Sequence, residues 1–156
     1  MPTESQLAAK LAELGLTLPP APEAKGLYQS LVIAGNLVHT SGHLPADAAG
    51  KLMTGRLGAD LKVEDGYKAA QLAGLNILAS LRKGLGSLDR VRRVIKIFGL
   101  VNSTSEFTQQ PAVVNGCSEL FAAVFGREAG VGARSAVGVN TLPLGVAVEI
   151  EAIFEI

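Results

Sequence analysis

The stretch that decides the fold is Gly132 to Ile156, GARSAVGVNTLPLGVAVEIEAIFEI. Residues 135–139 and 146–154 alternate as strands do, and Leu142-Pro143-Leu144-Gly145 separates them as a turn. On the second strand Val148, Ile150, Ala152 and Phe154 share one side, and Glu149, Glu151 and Glu155 share the other. The apolar side must meet helices, so the carboxylates face either water or another subunit. A single arginine, Arg134, opens the first strand. An unpaired charge is costly to bury, so its place in an apolar pattern implies a partner, a pocket or solvent.

Outward from there, Pro111 to Phe125 carries Val113, Val114, Cys117, Leu120, Phe121 and Val124 at helical spacing. Before it, Val91 to Val101 is a strand by its β-branched content, with Arg92, Arg93 and Lys96 on a polar edge. Val63 to Leu85 is the strongest helix, with Gly84 and Gly86 near its end. Tyr28 to Thr40 reads as a hairpin turning at Ala34-Gly35-Asn36, and Ser41 to Asp60 as a long loop. At the N-terminus Thr3 and Gln6 can form a capping box. Leu7, Leu11 and Leu14 line one face of a short helix, which Gly15 can stop. The proline-rich residues 18–22 then form a linker. Domain organisation follows as residues 1–25, helix and linker, and residues 26–156, the main domain. The order helix, hairpin, loop, helix, strand, helix, hairpin predicts an α+β fold, a mixed sheet with two helices on one face.

At 156 residues the chain fits one domain. Fourteen basic residues balance fourteen acidic ones, and Arg90-Val91-Arg92-Arg93 is too sparse to follow a nucleic-acid backbone. No run reaches the roughly 18 apolar residues of a membrane span, and no signal-peptide pattern opens the chain. A cytoplasmic protein without nucleic-acid or membrane partners is expected. The lone Cys117 sits on an apolar helix face, as a buried, inert thiol would. His39 and His43 lie four apart without a third ligand at useful spacing, so no metal site is expected. Hydrophobic residues make up 48% of the chain and charged residues only 18%, which points to apolar surface buried between subunits.

Several elements recur here in a fixed order: Gly26-Leu27-Tyr28, Gly35-Asn36-Leu37-Val38, Thr40-Ser41-Gly42, Asn115 at a helix start, Ala133-Arg134-Ser135, Leu142-Pro143 and Val148-Glu149-Ile150-Glu151-Ala152. In them, from about Gly26 to the C-terminus, the chain resembles the RidA family, also called YjgF/YER057c/UK114. The resemblance implies a chorismate-mutase-like fold assembled as a homotrimer, with ligand pockets between subunits. It also implies an enamine/imine deaminase that needs no cofactor and converts 2-aminoacrylate-like carboxylates to 2-keto acids and ammonia. By position, Arg134 would hold the substrate carboxylate as a bidentate fork, and Glu149 would orient or activate the attacking water. Tyr28 would line the pocket, Gly42 would allow close backbone approach, the backbone of Ala136 would face the ligand, and Asn115 would stand near it.

The chain departs from the family pattern at Leu27, His43, Ser118, Ala136 and Val131-Gly132, which marks a divergent subgroup with an added N-terminal helix and an altered pocket. Each site residue also has a plainer role: a salt bridge for Arg134, an intersubunit pair for Glu149, packing for Tyr28, capping for Asn115. His43 is placed near the pocket mouth, and Glu151 at the subunit interface. Leu7, Leu11 and Leu14 are expected on the outer rim of the trimer. A non-catalytic trimer that binds a keto acid is the alternative function. Ribonuclease activity is disfavoured by the neutral charge.

Overall fold

A computed structural model describes residues 2–156. Helix α1 (Glu4–Glu13) starts at the expected capping box: the Gln6 side chain accepts from the Thr3 N–H at 2.8 Å, and the Thr3 hydroxyl accepts from the Gln6 N–H at 3.3 Å. Gly15 ends it at φ +68°. Strands β1 (Leu31–Ala34) and β2 (Leu37–Thr40) form the hairpin, and α2 (Val63–Leu85) has the bounds read from the sequence. Strand β3 (Arg93–Asn102), helix α3 (Gln110–Phe125), the single turn α4 (Arg127–Gly130), β4 (Ala133–Val139) and β5 (Val148–Glu155) complete the chain.

The sheet runs β1-β2-β5-β3-β4. The two C-terminal strands are therefore not a hairpin, contrary to the sequence-based expectation: β3 lies between them, parallel to β4 and antiparallel to β5. The reason is connectivity. Parallel neighbours need a long crossover, which α3 supplies between β3 and β4, and this leaves the other edge of β3 for β5. The Pro143–Gly145 turn instead reaches the long loop, where the Gly55 N–H donates to the Gly145 carbonyl at 3.0 Å.

Strand β3 solves a parity problem. Val94 and Ile97 are both buried although three residues apart, a spacing that would place them on opposite faces of a regular strand. A bulge between Val94 and Lys96 pairs them with Phe154 and Ile153 and restores the alternation. The helix-covered face then holds Val94, Ile97 and Val101 with Ile150, Ala152 and Phe154, while Lys96, Phe98, Leu100, Glu149 and Glu151 share the other face.

Helices α2 and α3 pack on the apolar face and on each other. Their approach is close enough that a Cβ on Gly116 would fall 2.0 Å from the Tyr67 carbonyl oxygen. Phe121 and Phe154 meet edge to face at 5.5 Å. Leu7 and Leu11, 1% and 4% exposed, lie in the same core cluster as the sheet, and Leu14 faces outward. The Glu4 carboxylate pairs with Arg82 at 2.8 Å and accepts from the Ser87 hydroxyl at 3.0 Å and the Leu88 N–H at 2.8 Å, fixing the helix from outside.

Candidate functional site

The predicted site residues gather into two groups. In the first, Arg134 projects from β4, an edge strand, toward α3. Its register partner is Ile97, itself opposite Ala152, so Arg134 stands on the helix-covered side of the sheet. One guanidinium nitrogen donates to the Asn115 side-chain oxygen at 2.7 Å and to the Ser118 hydroxyl at 3.1 Å. Half-buried Ala136 follows two residues on, along the same side of β4. A cleft of about 330 Å³ opens here, lined by Asn115, Ser118, Glu119, Arg127 and Arg134. One oxygen of the Glu119 carboxylate accepts from the Tyr67 hydroxyl at 2.5 Å, and this bond, with burial and the nearby charge, holds Tyr67 up at about 12. Among the described residues the ion pairs are Lys10–Glu13 and Arg82–Glu4, so Arg134 has no carboxylate partner.

The second group surrounds Gly42. Tyr28, Ser41, Gly42 and His43 line a cavity of about 430 Å³. Glu149 packs directly against Gly42: a Cβ there would come within 2.8 Å of the Glu149 carboxyl carbon. Only glycine permits this contact. Burial, and secondarily the Glu151 charge two residues along the same face, push the Glu149 carboxyl above its ordinary value. A carboxylate held that way is a better proton acceptor than one in water.

His43 bridges to β5 through the backbone, its N–H donating to the Ile150 carbonyl at 2.7 Å. Its Nδ1 lies 2.7 Å from the Ser41 carbonyl, which can only accept, so Nδ1 carries the proton and Nε2 accepts from the Ser80 hydroxyl at 2.8 Å. Burial lowers its pKa and keeps the ring neutral. The ring thus lines the cavity with both nitrogens already bonded. Burial likewise pushes the Cys117 thiol well up, so it stays a thiol.

Sequence reasoning missed the supporting role of Ser80, and that of Ser118 as a partner of Arg134. Asn76, whose amide donates to the Leu44 and Ala46 carbonyls at 3.3 and 2.8 Å, pins the loop beneath the cavity. A signal existed: Asn76 and Ser80 are polar residues one turn apart on an otherwise apolar helix face.

Arg134 and Glu149 do not meet within one chain. Glu149 pairs with Leu100, which pairs with Val137, so the two side chains lie two strands apart, three residues apart along the strands, and on opposite faces. At about 4.8 Å per strand and 3.3 Å per residue the separation is roughly 14 Å.

A family model described as "YjgF/chorismate_mutase-like, putative endoribonuclease" matches residues 5–154. The chain belongs to the YjgF/RidA family. Protein TCP17 of Trypanosoma cruzi is 46% identical over 151 residues, covering 97% of this chain and 94% of its own. The crystal structure of Atu1372, a protein of unknown function from Agrobacterium tumefaciens, is 44% identical with a TM-score of 0.91, covering 98% of this chain and 95% of that one. RidA from an Antarctic Psychrobacter is 32% identical with a TM-score of 0.62, covering 87% of this chain and 94% of that one. The family fold is shared by all; the Agrobacterium protein matches across nearly the whole chain, the N-terminal helix included. Among the described residues no helix is long and apolar enough to cross a membrane.

Proposed function

We propose that the chain is a hydrolytic deaminase of 2-imino and enamine carboxylates, acting as a homotrimer in which Arg134 of one copy faces Glu149 and the Gly42 cavity of the next. The observation that carries this is the half-buried guanidinium of Arg134, oriented by two neutral oxygens and paired with no carboxylate. A salt-bridging arginine would have its fork occupied; this one keeps donors free for a substrate carboxylate. The position of Glu149 on the opposite face supports assembly, because a small ligand can touch both groups only across a boundary between copies.

The chemistry needs little more. Arg134 holds the carboxylate and so fixes the imine carbon. The Glu149 carboxylate takes a proton from water as its oxygen bonds to that carbon, and the C=N π electrons move to nitrogen. Glu149 returns that proton to nitrogen to give a carbinolamine, then passes the new hydroxyl's proton to the same nitrogen, so that ammonia leaves as the carbonyl forms. The balance is imine plus water to keto acid plus ammonia, with no redox change. An enamine first takes a proton on carbon to become the imine. Positioning contributes most, since the imine carbon is already electrophilic.

The test generates imino acids in situ with an amino-acid oxidase and follows keto-acid release with the wild type and Glu149→Gln. Acceleration by the wild type, cut at least about a hundredfold in Glu149→Gln while keto-acid binding persists, is the expected result. No acceleration with any side chain leaves a trimer that only binds keto acids. The RNA cleavage named in the family description finds little support here, because the net charge is zero.

A further inference from the structure

The cavity beside Gly42 has walls that the reaction itself does not require. Its volume of about 430 Å³ falls in the range of roughly 300–1,000 Å³ that encloses drug-sized ligands, far more than a three-carbon imino acid fills. One wall is the strap of residues 20–22 between α1 and β1. The strap is stiff and anchored: Pro19, Pro20 and Pro22 fix their own φ, Leu18 packs against the core, and α1 is locked into the core upstream. The rim carries Leu144, at φ 59° and ψ 13° and 72% exposed. A leucine in the left-handed region is strained, and such strain collects at ligand-clamping positions. Glu23 and Lys25 border the cavity from the strap side, and the polar groups deeper inside are satisfied. His43 is held by Ser41 and Ser80, and the Asn76 amide donates to loop carbonyls, so the wall offers an entering group mostly apolar surface from Leu44, Leu52 and the strap.

We propose that this cavity receives the substrate's side chain, and that the enzyme acts on 2-imino acids with large apolar side chains, branched or aromatic, with Leu144 and the strap as its specificity-determining wall. The inference rests on the deaminase reading above. The experiment compares kcat/KM on imines made in situ from alanine, leucine and phenylalanine. The leucine or phenylalanine imine should exceed the alanine imine by at least about tenfold. Ala21→Phe, which fills the cavity, and Leu144→Gly, which suits the left-handed backbone and removes the rim, should each lower that ratio at least about tenfold. A preference for the alanine imine, or a ratio untouched by both variants, overturns the proposal. If no imine is hydrolysed, the deaminase reading fails separately, and calorimetric titration with pyruvate, 4-methyl-2-oxopentanoate and phenylpyruvate decides the cavity: tighter binding of the larger acids upholds it, and equal or reversed order overturns it.

Discussion

Gly42→Ala moves Glu149 without touching its chemistry. The new methyl would fall 2.8 Å from the Glu149 Cδ and 2.9 Å from its Cγ and Oε1. Unbonded carbons settle at about 3.5–4.0 Å, so the carboxylate must shift by on the order of 1 Å. Gly42 is not at positive φ, so alanine suits the backbone and stabilises by about 0.4–1 kcal/mol through the unfolded chain. Overpacking costs about 1–3 kcal/mol, toward the lower end here because a flexible carboxylate is what gives way. The net loss should be about 1 kcal/mol, or roughly 2–4 °C in the thermal midpoint. Catalysis should suffer more: a 1 Å misplacement of a reacting group costs about a hundredfold, equivalent to about 2.7 kcal/mol of barrier. The assay is keto-acid release from in situ imines beside a melting curve. A Gly42→Ala protein with wild-type kcat would refute the assignment of Glu149 as the water-activating group. Collapse of the fold would show instead that the carboxylate cannot yield and is held as structure.

Further outcomes follow from the same contacts. Because Glu149 is raised by burial and then by Glu151, kcat/KM should climb with pH through a limb above the ordinary carboxylate range, and Glu151→Gln should bring that limb down. The sign for stability is the opposite one: a raised folded-state pKa makes protonated Glu149 the better-tolerated form, so its contribution is fullest below the unfolded value of 4.5 and is lost as pH rises through the folded one. Gly116→Ala, whose methyl would sit 2.0 Å from a backbone oxygen, should cost about 3 kcal/mol or more as α2 and α3 are forced apart, read as a midpoint lower by about 6–12 °C. Removing residues 2–17 takes Leu7 and Leu11 out of the core and should cost roughly 3–6 kcal/mol by denaturant unfolding. Unchanged stability there would mean that α1 is dispensable to the core.

By itself the sequence determined which segments are helix and strand and which way β5 faces. These depend on local rules: the capping box at Thr3, the 23-residue apolar periodicity of α2, and the alternation from Val148 to Phe154. It also singled out Arg134, Glu149, Gly42, Tyr28 and Asn115, through a resemblance carried by short motifs. Tertiary structure decided the rest. Insertion of β3 between β4 and β5 is a non-local pairing, invisible to a pattern whose turn looked sufficient to join two neighbours. The burial of Leu7 and Leu11 in the main core depends on where α1 docks, which amphipathicity cannot specify. That Asn115 and Ser118 orient Arg134, that Gly42 gives way to Glu149, and that the two charges stand on opposite faces follow from register. Periodicity tells a residue which side of its own strand it occupies; only pairing tells it what lies across.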